Sequence, residues 1–242
     1  MEQTVAASTI YQLRVVLRRI SPLIWRRLLV SSQTTIADLH AVLQISLGWE
    51  DDHLHRFHIH GKDYGVGYVG GISFKDNPRE VCLADFRLHR GERFLYVYDL
   101  SAQWECDIRL EAILAPSPRR HYPVCTQGAR AVPPEFCRDG WDYLKRLDDF
   151  RVAETRATQV LVDVARVVLD PGSQDLSLQE AIDLEAVQEA LEELKPYGEW
   201  QPEQFDRHQM NAQLRAWAEQ GGHDEAEGAS GDDRRGRTGD PS

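Results

Sequence analysis

The sequence lacks most of the signatures that declare a function. It has no apolar run near the roughly 18 residues of a membrane-spanning helix. Its start, MEQTVAASTI, carries neither a basic segment nor an apolar core, so no secretory signal is expected. Cysteine is scarce. Cys82, Cys106, Cys125 and Cys137 are scattered with no CxxC, which points to reduced thiols in a cytoplasmic protein rather than to a disulfide framework. The glycine-rich stretch 64–71, YGVGYVGG, has no GK[ST] ending and reads as a loop or hairpin, not a phosphate cradle. No GxSxG elbow is present, so a hydrolase of that kind is unsupported. Basic charge is also short. Lysine and arginine total 28 against 39 acidic residues, a net charge of −11, and such a surface repels a phosphate backbone overall.

What is there is an organised α+β pattern. Tyr11, Leu13, Val15 and Leu17 alternate with Gln12, Arg14 and Arg18, as in a half-buried strand. After a Ser21-Pro22 turn, residues 24–30 form a second strand, antiparallel to the first, with Arg26 and Arg27 on opposite faces. Next comes a helix. Thr35 and Asp38 supply a capping start, Ile36, Leu39, Leu43 and Leu47 an apolar stripe, and Gly48 a left-handed stop. An acidic corner, Glu50-Asp51-Asp52, leads into the histidine strand 53–60. Residues 93–99 and 104–112 are two further strands, and 81–83 a short candidate.

A proline-rich loop spans 116–134, and a short helix is expected around 141–147. Residues 160–169 read better as helix than strand. Ser177 and Glu180 open another helix, ended by Pro196 and Gly198, and a last one runs over about 202–218. The expected organisation is a flexible 1–8, an α+β domain over 9–149, a helical extension over 150–219 and a disordered acidic tail over 220–242. The fold class is therefore α+β: an antiparallel sheet of about five strands on one main helix, with a helical C-terminal region.

PLIWRRLLV, TTIADLH, LQISLGWEDDHLHRF, RFLYVYD and CxxGxxxxPPExC, occurring in this order, resemble the plasmid Ri third-open-reading-frame-like family. Its members often carry the label insertion-element passenger TnpR-like protein. The resemblance covers about residues 10–147 and resumes over 197–214. It implies an α+β domain and an association with plasmids and mobile elements, but no established activity. Two departures stand out. The family's usual Gly-Asp turn is replaced by Leu100-Ser101-Ala102-Gln103, and Cys106 stands where a histidine is usual. The TnpR label implies a serine recombinase. Yet the stretch 11–17 offers no nucleophilic serine among arginines, and the acidic end contains no basic helix-turn-helix.

The candidate site residues follow from side-chain chemistry. His53 and His55, at i and i+2 on a strand, can chelate a divalent metal, with Asp51, Asp52 and Cys106 as further ligands. The bland alternative makes the two histidines hydrogen-bonded core residues beside Phe57. Cys125 and Cys137 read as small buried residues rather than a redox pair. Glu135 is a candidate base or a helix cap. Arg26, Arg27 and the pair Arg119-Arg120 are candidates for phosphate or carboxylate contact. The expected binding surface comprises Arg26, Arg27, Asp51, Asp52, His53, His55, Trp104 and Glu135. The expected role is a non-enzymatic accessory protein with a protein partner and no resident cofactor. Alternatives are a metal-dependent enzyme using His53 and His55, and a DNA-associated regulator.

Overall fold

A computed structural model describes residues 9–66, 73–134, 136–169, 183–198 and 200–222. Seven strands make one all-antiparallel sheet: β1 (Ile10–Leu17), β2 (Trp25–Ser31), β3 (His55–Ile59), β4 (Lys62–Tyr64), β5 (Arg93–Tyr98), β6 (Trp104–Leu114) and β7 (Val124–Ala129). Their order is β4-β3-β5-β6-β1-β2-β7. Burial alternates with period two along β1 from Tyr11 and along the first seven residues of β6, so one face there is apolar and the other polar.

Helix α1 (Ile36–Leu47) covers the apolar face, where Ile36, Leu39, Leu43 and Leu47 join the core cluster with Leu13, Val15, Phe57, Tyr96 and Ile108. Its ends follow the expected chemistry. The Thr35 hydroxyl accepts the Asp38 N–H at 3.0 Å, and Gly48, at φ 69°, closes the last turn in a conformation that costs glycine little.

The count of seven strands corrects the expected five. β4 is three residues long, too short to show a period. β7 lies inside the proline-rich loop; within VCTQGA only Cys125 is fully buried, so no alternation announces it. β7 would be a bare edge, but helix α4 (Arg207–Glu219) covers it. The Asn211 side chain accepts the Cys125 N–H at 2.8 Å and donates to the Cys125 carbonyl at 2.9 Å, as another strand would. Residues 81–83 contribute a single bridge, Thr35 to Cys82, followed by one 3₁₀ turn.

The expected short helix at 141–147 is the beginning of α2 (Gly140–Leu169), which runs unbroken for 30 residues and includes the ambiguous 160–169. Only its first half is anchored, through Tyr143, Leu147 and Ala153. Its outer half pairs with α3 (Leu184–Leu194), where Arg156 bridges Glu189 at 2.6 Å and Glu193 at 2.5 Å. The expected start of α3 at Ser177, the flexible 1–8 and the tail beyond residue 222 lie outside the described residues. No helix of the described residues is long and apolar enough to cross a membrane.

Candidate functional site

The most polar part of the interior lies where the C-terminal half of α1 meets β3 and β5. His40 sits on α1 beside the apolar stripe, and Gln44 one turn further on the same side. Both are almost fully buried. His55 begins β3 and is buried too. The two imidazoles lie face to face, with ring centroids 3.4 Å apart and planes within 11°.

Behind them stands Tyr96 of β5, whose hydroxyl contacts His40 Nδ1 at 2.9 Å and accepts from Gln44 Nε2 at 2.7 Å. Burial holds the Tyr96 phenol well above its usual range, so it stays a neutral hydrogen-bonding group. The other ring nitrogen of His40, Nε2, contacts Asp51 Oδ1 at 2.7 Å. One continuous polar chain therefore runs Gln44–Tyr96–His40–Asp51, from the core out to a half-exposed carboxylate.

The acidic corner positions Asp51. Trp49 stacks on Tyr98 at 4.8 Å and donates its indole N–H to the Pro133 carbonyl at 3.4 Å, which ties the corner down on one side. Asp51 then turns the chain at φ 63°, a left-handed conformation that aspartate tolerates better than most residues. The potential ligand atoms of His40, Asp51 and His55 all lie within 4.8 Å of one another. Two imidazoles and one carboxylate form a suitable donor set for a borderline divalent ion, and donors about 2.0–2.2 Å from a tetrahedral zinc lie roughly 3.4 Å apart, inside that span.

The sequence expectation had two of these three residues. His55 and Asp51 are in it; His53 and Cys106, among the described residues, are not. β3 starts at His55, so His53 does not share its strand face. His53 lies half exposed, 4.0 Å from Asp99 and edge-on to Tyr98. Cys106 is fully buried and faces Tyr96 across the β5–β6 pair, its thiol pushed up in pKa by desolvation. His40 was missed although it falls in the TTIADLH motif. The available signal was a histidine and a glutamine at i and i+4 along the packed side of an otherwise apolar helix.

The other expected residues disperse. Trp104 is 4% exposed and serves the core, not a surface. Arg26 is also buried, its guanidinium donating to the carbonyls of Ser46, Trp25 and Ala129 and lying over the Phe205 ring at 4.1 Å. Desolvation lowers its pKa to about 10. Arg26 thus binds the C-terminal end of α1 to β2 and β7, a structural role that leaves no fork for phosphate. Arg27, on the opposite face as expected, pairs with Glu111 at 2.6 Å. Asp52 is exposed, Arg119 and Arg120 stand on an exposed loop, and Glu135 lies outside the described residues. Cys125 and Cys137 are free and buried, as the bland reading expects.

The chain has relatives. A protein of Sinorhizobium fredii, described as uncharacterized protein y4hQ, is 29% identical over 140 residues, 56% of this chain and 70% of that protein. The crystal structure of a protein of unknown function, MM3350 from Methanosarcina mazei Go1, superposes with a TM-score of 0.60 at 27% identity, over 83% of this chain and 95% of that one. The family model for plasmid pRiA4b ORF-3-like proteins matches residues 9–178, and the chain belongs to that family.

Proposed function

We propose that the protein is an accessory metal-binding protein of plasmids and related mobile elements, taking one divalent transition ion at His40, Asp51 and His55. One observation carries this reading: three donors from a helix, a loop and a strand converge within 4.8 Å, with two of them buried. Burying polar side chains together costs stability unless they bond to one another or to a ligand. The hydroxyl of Tyr96 beside His40 Nδ1 is the outer partner that metal-bound histidines generally have, and it would fix the ring with Nε2 toward the ion. Free thiols in the chain are in keeping with a reducing, cytoplasmic setting.

The test is metal analysis of untagged protein, before and after incubation with zinc, manganese, iron(II) or nickel salts and gel filtration. About one equivalent of one ion is expected, falling below a tenth in H55A and D51N variants that keep the wild-type circular dichroism. Wild-type protein that retains no ion after incubation refutes the reading.

A metal-dependent enzyme is the second reading, and the number of ligands favours it. Closed structural zinc sites use four protein ligands, whereas three leave a coordination position open. Asp51 is half exposed, so that position would face solvent. Metal-dependent turnover of bis(p-nitrophenyl) phosphate, lost in D51N, would separate an enzyme from a binding protein.

A further inference from the structure

The polar face of the sheet, opposite α1, carries a row of arginines that the strand register lines up. Arg27 on β2 lies directly opposite Arg14 on β1, Arg14 opposite Arg109 on β6, and Arg109 opposite Arg93 on β5. Residues paired across antiparallel strands project to the same side, about 4.5–5.5 Å apart. Four guanidinium groups therefore cross four adjacent strands in one line. Like charges directly opposite one another destabilise a sheet.

The row is only partly neutralised. Glu111 pairs with Arg27 and also feels the charge of Arg14, and Asp107 pairs with Arg93 at 2.9 Å. Among the described residues no carboxylate lies within 4.0 Å of Arg14 or Arg109. The Arg14 Nε–H is buried without a hydrogen-bond partner. Trp25 lies on the same face, with Arg14 over its ring at 5.1 Å and Arg27 at 5.5 Å. This is the reverse of what the chain's total charge of −11 suggests.

We infer that this face binds single-stranded nucleic acid, the arginine row tracking the phosphates and Trp25 holding Arg14 and Arg27 in place beneath them. Guanidinium forks match phosphate oxygens two at a time, and an open sheet face with basic and aromatic side chains is a known type of platform for single strands. An acidic chain also meets less repulsion from one strand than from two. The inference is independent of the metal reading, because His40 and His55 lie on the other side of the sheet.

The experiment is fluorescence anisotropy of a labelled 20-nucleotide oligo-dT with the full chain. Four phosphate contacts on a single strand give a salt slope of about −2.8, so affinity should fall roughly 50-fold between 50 and 200 mM NaCl. The R14Q/R109Q double variant should bind at least about tenfold more weakly at 50 mM and show about half the slope. Its urea midpoint should be unchanged or higher, since removing the uncompensated pair relieves repulsion. If that variant does not fold, R93Q, at an exposed position, should lower the slope by about one contact. No binding at 50 mM salt, a salt-independent affinity, or double-variant binding equal to wild type overturns the inference. So does tighter binding of a 20-residue oligoglutamate, which would make the partner an acidic protein.

Discussion

His40 and His55 stack plane on plane, 3.4 Å apart, although one belongs to α1 and the other opens β3. The contact joins the helix to the sheet through polar rings in the midst of an apolar core. It exists because Tyr96 and Gln44 hold His40 from behind, while the acidic corner brings Asp51 to its outer nitrogen.

Tyr96→Phe removes the hydroxyl that orients His40 and leaves the ring that packs on Phe57 at 4.7 Å. Losing such an outer partner typically weakens metal affinity by about 10–100-fold. Competition against a zinc chelator should read that loss, with the far-ultraviolet spectrum unchanged. Wild-type affinity in this variant would remove Tyr96 from the site.

Gly128 on β7 has no room for a side chain. A Cβ there would meet the Phe205 ring at 2.6 Å and the Arg26 side chain at 2.9 Å. Gly128→Ala should therefore destabilise the protein by about 1–3 kcal/mol in urea denaturation, as overpacking does. The cost should shrink when Phe205 is also reduced to leucine, because the two positions share the clash.

Glu111 bears on the pH dependence. Hydrogen bonds from Arg27 hold its carboxyl below the usual range, with partial burial opposing. Its folded pKa thus lies below that of the unfolded chain, which is about 4.3, so its contribution is complete above the unfolded value and is lost as pH falls through the folded pKa. Wild type should be more stable than Glu111→Gln at pH 7. Denaturation curves taken between pH 5 and pH 3 should show that advantage disappearing. A gap that persists at pH 3 would mean Glu111 acts through packing.

The cysteines should be slow nucleophiles. Burial pushes Cys137 up to about 11 and raises Cys106 and Cys125 as well. Cys82 is half buried and also raised, by desolvation and nearby Asp85. At pH 8 the folded protein should give at most one iodoacetamide adduct within minutes, at Cys82, and four adducts once unfolded in guanidinium. Rapid native labelling of Cys125 would show that α4 leaves β7 readily.

The sequence by itself determined whatever a local period can encode. Period-two burial in β1 and β6, the 3.6-residue stripe of α1 and its Thr35 and Gly48 ends were all readable, because each depends on residues within one or two turns. β7 was not readable, since it becomes a strand only by pairing with β2 and being capped by Asn211, 86 residues away.

The sites belong to the same second class. His40, Asp51 and His55 come from three elements, and nothing in their spacing states that a helix face and a strand end will meet. The arginine row depends on register, and an irregularity between Gln12 and Leu13 shifts that register in the β1–β6 pair. A slip of one residue would send alternate arginines to the other face. Tertiary structure decided these pairings because the free energy that fixes them comes from packing the whole apolar face against α1, not from any segment alone.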